Sequence, residues 1–261
     1  MITIAFCNLK GGVGKTTACQ NIAVALRSLG KKVAVVDMDP QSNLSASFGL
    51  TLSAVEPQVF DILSGNSTWD DVKVTREGID VIPSSLNLIL VELNPEDPVS
   101  KDNILKNVIS SLDQSKYDFV LVDCPPQLSV FTRNALAACE HLIVPMDAGF
   151  FSLMGLKLLN EALPVFHDRL NIDINLLGIL FTNFEQRIFM YREVRKEVKN
   201  FFGNKLFENF IRKNVALVEA SSLGKSIFTY APKSNGAEDY VRVANELLDK
   251  LELEGGERHA D

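Results

Sequence analysis

The chain has 261 residues, of which 46% are hydrophobic and 23% are charged, and it carries a formal net charge of −7 at pH 7. This composition is typical of a globular protein with a sizeable core, and it excludes a disordered or collagen-like chain. The acidic balance also excludes a protein that binds nucleic acid through an overall positive charge, so any such contact requires a local basic patch.

The four cysteines and three histidines are scattered along the chain, and no two cysteines form a CxxC pair. We therefore expect neither a disulfide framework nor a structural zinc site. The amino terminus, MITIAFCNLKGG, has no basic segment and no cleavage site. No apolar run approaches the roughly 18 residues that a membrane span needs, so we predict a soluble, cytoplasmic protein.

Short apolar runs alternate with longer stretches of helical spacing. The predicted strands cover residues 2–7, 33–36, 79–82, 119–122, 142–144 and 176–181. The predicted helices cover residues 15–29, 86–93, 103–112, 129–138, 153–170, 188–202 and 237–251. Strands this apolar are typical of a sheet that is covered on both faces. We therefore predict an α/β fold with a doubly wound, mostly parallel sheet and helices on both of its faces.

The alternation of strands and helices continues along the chain without an internal repeat. We therefore predict one domain over residues 1–254. Residues 94–98 contain two prolines but mark no change in composition, so we assign them to a surface loop. Residues 255–261 begin with two glycines and are predicted to form a flexible acidic tail.

A glycine-rich segment, KGGVGKTT at residues 10–17, joins the first predicted strand to the first predicted helix. This is the setting of a phosphate-binding loop, because glycines let consecutive amides point at phosphate oxygens and the helix adds the positive end of its dipole. Lys15 is expected to reach the β- and γ-phosphates, and the Thr16 hydroxyl to bind Mg²⁺. The predicted phosphate-binding residues are Lys10, Gly11, Gly12, Val13, Gly14, Lys15, Thr16 and Thr17.

The common form of this loop has a glycine five positions before Gly14, where this chain has Leu9. The sequence instead fits a deviant form of the motif that carries an additional lysine, Lys10, at the start of the loop. The spacing alone places a second cation beside the phosphates.

Two aspartates follow the second predicted strand, in the segment VDMDPQSN at residues 36–43. Asp37 and Asp39 are two residues apart at the end of a buried strand, so their side chains are expected on one face, beside the phosphate loop. Two carboxylates there can hold Mg²⁺-bound water and orient an attacking water. The alternative is a purely structural Asx turn before Pro40.

These motifs, together with DFVLVDCPP at residues 118–126, resemble those of the deviant Walker-A ATPases. This P-loop NTPase family includes the ParA/Soj partition proteins and the MinD-like positioning ATPases. The resemblance continues in family order through residues 177–184, 211–220, 224–227 and 231–237, and so covers nearly the whole chain. It implies that the cofactors are ATP and Mg²⁺, and that two subunits enclose ATP in a homodimer.

The same resemblance implies roles for individual residues. Lys10 is expected to reach across the dimer to the phosphates bound by the partner, so Lys10, Lys15 and Asp39 form the catalytic set, with Asp39 orienting the water. Asp123 ends a strand that resembles a Walker B strand, and it is expected to bind magnesium through water and to sense the γ-phosphate. With Asp37 supporting the magnesium shell, the implied metal site comprises Thr16, Asp37, Asp39 and Asp123.

For the adenine, the resemblance points to the ends of the segments 177–184 and 211–220. Asn183 is expected to hydrogen-bond the edge of the base, and Arg212, Lys213 and Asn214 to cover the ring. The family commonly has a proline where this chain has Arg212, whose guanidinium can also stack on a purine.

One segment of this acidic chain is basic. Residues 187–213 contain eight Lys and Arg against three Glu, a net charge of +5. Four of the basic residues have the spacing of one helical stripe, which suits weak, sequence-independent binding to a phosphate backbone. The alternative is a solvated helix face that Glu193 and Glu197 neutralise.

The partition ATPases bind non-specific DNA through basic residues in this region, and Arg187 matches one such position. The family also has an arginine where this chain has Ala216. By this resemblance and the helical stripe, the predicted DNA contacts are Arg187, Arg192, Arg195, Lys196, Lys199 and Lys213.

Three functions are compatible with the sequence. The leading hypothesis is a nucleoid-associated ATPase switch that partitions DNA or other cargo, with weak hydrolysis that a ParB-like adaptor stimulates. The second is a MinD-like membrane-cycling ATPase, which the five acidic and two basic residues of segment 248–261 disfavour, so we expect no membrane partner. The third is a metabolic ATPase on the same fold, for which the sequence offers neither an acceptor pocket nor a pair of cluster-binding cysteines.

Overall fold

A computed structural model of the protein describes residues 1–51, 56–93 and 101–258. The strands are β1 (Ile2–Phe6), β2 (Val33–Asp37), β3 (Val74–Arg76), β4 (Ile79–Ile82), β5 (Phe119–Asp123), β6 (His141–Met146) and β7 (Asn175–Phe181). Within the described ranges they form one seven-stranded sheet in the order β3-β4-β2-β5-β1-β6-β7. Only β3 runs antiparallel to its neighbour there, so the predicted mostly parallel sheet is confirmed.

Helices cover both faces of the sheet. They are α1 (Lys15–Ser28), α2 (Asn43–Ser47), α3 (Val59–Leu63), α4 (Trp69–Val72), α5 (Asn87–Leu93), α6 (Ile104–Ser110), α7 (Val130–Ala138), α8 (Phe150–Leu170), α9 (Phe189–Phe202), α10 (Val215–Ser222), α11 (Ile227–Tyr230) and α12 (Asn235–Arg258). Val35 of β2 joins an apolar cluster with α1 and α12, whereas the next residue, Val36, joins a second cluster with α7 and α8. Burial of both faces explains why the strands are continuous apolar runs, and it confirms the doubly wound arrangement.

The register of the central strands brings their carboxyl ends level. Asp123, the last residue of β5, is paired with Asp37 of β2 on one side and with Phe6 of β1 on the other. The loop that follows β1 therefore begins beside Asp123, with Asp37 one strand further along the same edge. This edge of a parallel sheet is where α/β proteins bind their ligands.

The structure contains short elements that periodicity does not predict. The strand β3 has three residues and is largely exposed, so it forms no apolar run. The helices α2, α3, α4, α10 and α11 have four to eight residues, too few for a clear 3.6-residue pattern.

The carboxyl-terminal helix α12 continues through Gly255 and Gly256 to Arg258. Residues 259–261 and the predicted loop at 94–98 lie outside the described residues, and the division into one domain and a tail stays a prediction. Within the described ranges, no helix combines the length and the apolar character needed to cross a bilayer.

Candidate nucleotide-binding site

The glycine-rich loop lies between β1 and α1, at the carboxyl edge of the sheet. Gly12 and Gly14 have φ angles of +72° and +75°, a conformation that glycine adopts without strain. The hydroxyl of Thr182, just after β7, donates to the Val13 carbonyl at 2.8 Å and so seats the loop on the sheet. The loop has the compact backbone that the glycine spacing predicts.

The two lysines of the loop make different contacts. Lys15 is only 7% exposed, and its amine donates to the Lys10 carbonyl at 3.3 Å. The Lys10 amine instead donates to Asp147 at 2.7 Å and to the Ser152 hydroxyl at 3.0 Å. Sequence reasoning missed Asp147 and Ser152. Asp147 directly follows β6, so the strand-end rule that identified Asp37 could have indicated it.

Thr16 and Asp123 meet beneath the loop. The Thr16 hydroxyl donates to Asp123 Oδ2 at 2.7 Å, while the buried Oδ1 has no hydrogen-bond partner in the described part of the chain. Burial and the nearby charge of Asp37 raise the pKa of Asp123 well above its ordinary value. A hydroxyl beside an unpartnered carboxylate oxygen supplies the hard oxygen ligands that Mg²⁺ prefers, so these residues fit that ion.

Asp37 is fully buried, and both of its carboxylate oxygens accept hydrogen bonds. Oδ2 accepts from the amide and the hydroxyl of Ser45 at 2.8 and 2.7 Å, and Oδ1 accepts from the Asp39 amide at 3.1 Å. Burial, which these hydrogen bonds only partly offset, raises the pKa of Asp37 to about 7. Asp37 thus holds α2 and the turn that carries Asp39, and its role in the magnesium shell stays a prediction.

Asp39 lines the cavity beside the loop. Its Oδ1 accepts a hydrogen bond from the Gln41 amide at 2.9 Å, which forms the Asx turn that was the alternative interpretation. Asp39 therefore both forms this turn and lines the cavity. Within the described ranges, no three His, Cys, Asp or Glu side chains form a metal-binding group. The predicted set of Thr16, Asp37, Asp39 and Asp123 is therefore not a cage of carboxylates, and Mg²⁺ commonly binds proteins through few residues and several waters.

The cavity above the loop has a volume of about 520 Å³, within the range of small-molecule sites. One wall consists of Gly11, Gly12 and residues 14–17. The rest of the lining includes Asn183, Ile211, Asn214, Leu217, Val218 and Tyr240. A lining that combines the amide donors of the loop with apolar side chains suits a ligand with an anionic tail and a flat ring.

Two of the predicted base contacts, Asn183 and Asn214, line this cavity. Asn183 has a φ angle of +49°, in the left-handed region that asparagine tolerates, and Asn214 Oδ1 caps α10 by accepting from the Ala216 amide at 2.9 Å. Leu217 and Val218 were missed because α10 itself was not predicted. The contacts that Asn183 and Asn214 are expected to make with a base stay predictions.

The other two predicted base contacts do not line the cavity. The Arg212 guanidinium lies 2.6 Å from Asp239, whose side chain is 4% exposed, and 2.8 Å from Glu238. The Lys213 amine lies 3.0 Å from Glu185. The expectation that Arg212 and Lys213 cover the ring is therefore corrected, because acidic partners on α12 and after β7 hold both cations elsewhere.

Four predicted DNA contacts come together on α9. Arg192, Arg195, Lys196 and Lys199 line a groove of about 370 Å³ that also includes Phe184 and Phe210, whereas Arg187 and Lys213 are not part of its lining. Glu208 neutralises two of the four, because it pairs with Arg195 at 3.0 Å and with the Lys199 amine. In the alternative interpretation, Glu193 and Glu197 neutralise the basic stripe. Glu197 instead pairs with Lys157, at 3.8 Å.

Comparisons with known proteins agree with this geometry. The AAA domain family matches residues 1–176. Over 246 residues the chain is 37% identical to the sporulation initiation inhibitor protein Soj of Bacillus subtilis, covering 94% of this chain and 97% of Soj. Over 250 residues it is 33% identical to the chromosome partitioning protein ParA of Caulobacter vibrioides, covering 95% of this chain and 94% of ParA.

Two solved structures with bound ADP and magnesium share the fold. Cobyrinic acid a,c-diamide synthase from Mycobacterium smegmatis superposes with a TM-score of 0.82 at 28% identity, covering 97% of this chain and 96% of the synthase. The septum site-determining protein MinD from Pyrococcus horikoshii gives a TM-score of 0.77 at 26% identity, covering 96% of each chain. The family match, the two relatives and the shared fold lead to one assignment: the chain belongs to the ParA/Soj-type ATPases of the MinD/ParA superfamily.

Proposed function

We propose that this protein is a dimerising ATPase switch that positions DNA or another cargo. Binding of ATP with Mg²⁺ brings two subunits together, the dimer binds DNA without sequence preference, and hydrolysis dissolves the complex. The observation that carries the proposal is the cavity of about 520 Å³, which the glycine-rich loop lines together with Asp39 and apolar side chains of α10.

Each part of the cavity suits one part of ATP. The loop amides and Lys15 balance the charge of the phosphates, toward which the positive end of α1 points. Thr16 and, through water, Asp123 would hold Mg²⁺, which would neutralise charge on the phosphate oxygens. Asn183 hydrogen-bonds the base edge, and Leu217 packs against its face.

Asp39 orients the attacking water. The water oxygen attacks the γ-phosphorus, and the bond from phosphorus to the β–γ bridging oxygen breaks with its electron pair going to ADP. The water proton passes to an oxygen of the γ-phosphate, so that the products are ADP and hydrogen phosphate. Asp39 Oδ1 is held by the Gln41 amide, so the water donates its hydrogen bond to Oδ2. Orientation without a strong base suits weak intrinsic hydrolysis, which a ParB-like adaptor is expected to accelerate.

The groove along α9 is the DNA-binding surface of this proposal. Arg192 and Lys196 are exposed there, and the described chain contains no ion pair that neutralises either of them. The positive patch favours local contacts with DNA phosphates. The net negative charge of the whole protein does not favour a broad attraction to DNA.

The proposal is tested by DNA binding at rising salt concentration. With ATP and Mg²⁺, Asp39→Ala is expected to sediment as a dimer and to retain random-sequence duplex DNA, with a log–log salt slope of about −0.9 for each phosphate contacted. Adding Lys15→Ala to this variant should abolish both properties. A monomer with bound ATP would contradict the proposed cycle, and binding to anionic vesicles but not to DNA would favour a membrane-cycling ATPase.

A further inference from the structure

Two buried serines follow β4, and the function proposed so far assigns a role to neither. Ser84 and Ser85 are 0% and 1% exposed. The strand β4 pairs in parallel with β2, and Ile82 lies opposite Val36. Because both strands end at the same edge of the sheet, the segment after β4 lies beside the segment after β2, which carries Asp39.

The Ser84 hydroxyl ties the turn after β2 to the segment after β4. It donates a hydrogen bond to the backbone carbonyl of Asp39 at 2.6 Å. The same carbonyl accepts from the Ser42 amide at 2.8 Å, which closes the turn. Ser42 has a φ angle of +58°, a conformation that non-glycine residues keep only where their surroundings support it. Ser84 supplies such support from outside the turn.

Hydrogen bonds to α2 and β2 hold Ser84 itself in place. Its amide donates to Ser45 Oγ at 2.9 Å, and the Ser45 hydroxyl donates to Asp37 Oδ2 at 2.7 Å. Asp37 Oδ1 in turn accepts from the Asp39 amide at 3.1 Å. Ser45, Ser84 and Asp37 are 0% exposed, so bulk water does not replace these hydrogen bonds when one is lost. The network thus holds Asp39 by both its backbone amide and its backbone carbonyl.

Ser85 is equally buried but makes a different contact. Its hydroxyl oxygen accepts from the Asn87 amide at 3.1 Å, at the start of α5. No hydrogen bond joins Ser85 to Asp39 or to α2 in the part of the chain that the structure describes. The two neighbouring serines therefore differ in whether they reach the Asp39 turn.

We propose that Ser84 is a positioning residue for ATP hydrolysis, whose hydroxyl fixes the main chain of Asp39 so that the Asp39 carboxylate is aimed at the attacking water. The inference rests on the proposed function, in which Asp39 orients that water. Ser84 is not among the described residues that line the cavity, so it acts through Asp39 and not on the nucleotide. The aim of Asp39 matters once ATP is bound, so Ser84 affects the rate of hydrolysis and not the affinity for ATP.

Steady-state phosphate release at increasing ATP concentration and saturating Mg²⁺ tests this inference in the full chain. Ser84→Ala should lower kcat about tenfold, because the turn can shift, while the KM for ATP and the calorimetric affinity stay within about twofold. The matched control is Ser85→Ala, whose kcat should stay within about twofold of the wild type. A kcat for Ser84→Ala that equals that of the wild type or of Ser85→Ala overturns the inference, as does a tenfold rise in KM.

A second substitution at the same position carries the test where the alanine variant is unstable. Ser84→Cys keeps a donor of similar size but weaker hydrogen bonding, and it should lower kcat about threefold with an unchanged KM. An unchanged kcat in a folded Ser84→Cys variant overturns the inference.

Single turnovers with radiolabelled ATP separate this inference from the proposed function. In an Asp39→Ala background the side chain that Ser84 positions is absent, so adding Ser84→Ala should change the remaining rate by less than about twofold. A further loss of about tenfold would show that Ser84 acts independently of Asp39, which overturns the inference. An undiminished rate in Asp39→Ala alone would instead contradict the proposed function.

Discussion

Two parts of the lining of the proposed nucleotide cavity are built differently, and we call them the phosphate end and the base end after the ligand groups proposed to lie there. The phosphate end comes from consecutive residues of one loop, supported by aspartates at the ends of neighbouring strands. The base end combines the turn after β7, the segment before α10, α10 itself and Tyr240 of α12. Phosphate binding depends on backbone amides at fixed spacing, whereas a base can be covered by any apolar surface of suitable shape.

This difference extends to how firmly each end is held. The loop is seated by the hydrogen bond from Thr182 to Val13, and Lys15 is nearly buried. At the base end Val218 is 67% exposed. We therefore expect substitutions at the phosphate end to have large effects on nucleotide turnover, and substitutions of residues that line the base end to have smaller effects, on ATP affinity.

The largest expected effect is that of Lys15→Ala. Removing a nearly buried cation that balances the phosphates should reduce ATP turnover by at least about a thousandfold, measured as phosphate release under saturating Mg²⁺. Lys10→Ala is the comparison within the same loop, because the monomer should still bind ATP by calorimetry. Undiminished turnover in Lys15→Ala would place the phosphates elsewhere and remove the contrast between the two ends.

The neighbouring aspartates Asp123 and Asp37 provide a sharper test within the phosphate end. Asp123→Asn should reduce turnover by about 100-fold, because it removes the charge beside the magnesium position. The same change should stabilise the nucleotide-free protein by about 1 kcal/mol, because it removes a buried charge with an unpartnered oxygen. Chemical denaturation and phosphate release measure the two effects.

Asp37→Asn is the control with the opposite expected sign. Both Asp37 oxygens accept hydrogen bonds from Ser45 and Asp39, and an amide nitrogen cannot replace one of these acceptors. This substitution should therefore lower the free energy of unfolding by about 2 kcal/mol. If Asp123→Asn lowers the free energy of unfolding as much as Asp37→Asn does, the unpartnered oxygen of Asp123 does not destabilise the nucleotide-free protein.

At the base end, Arg212→Ala should affect folding rather than ATP binding. The substitution leaves Asp239 nearly buried without its cation, so the free energy of unfolding should fall by about 2 kcal/mol while the affinity for ATP changes by less than about threefold. Asn183→Ala is the counterpart that lines the cavity and should weaken ATP binding instead. A large loss of ATP affinity in Arg212→Ala would restore the original expectation that Arg212 covers the ring.

Arg212 also marks the limit of what the sequence can predict. Its pairing with Asp239 depends on how α12 packs beside the segment before α10. The two residues are 27 positions apart in the sequence, so no local sequence pattern indicates that they pair. The positions of the glycine-rich loop, Asp39 and Asp123 could be predicted, because each lies at or just after the end of a buried strand and its motif is contained within a few residues.

Short elements were missed for a related reason. The eight residues of α10 carry no clear periodicity, since Leu217 is buried whereas Val215 and Val218 are exposed, although both Leu217 and Val218 line the cavity. Asp147 was missed although it follows β6, because no other motif residue adjoins it in sequence. Tertiary packing, rather than local pattern, decides the partners of such residues.

The smallest expected effect concerns the basic groove on α9. Glu208 pairs with Arg195 and Lys199, so Glu208→Gln should free two cations, strengthen binding to random duplex DNA by about threefold to tenfold and steepen the log–log salt slope by about 1 to 2. The control is Glu193→Gln, which removes an equal charge from α9, where the described chain shows no ion pair to Glu193. Fluorescence anisotropy across a salt series measures both variants. If they act equally, net charge alone governs binding; if only Glu208→Gln acts, the groove itself contacts the phosphates, because only there does a released cation gain a new partner.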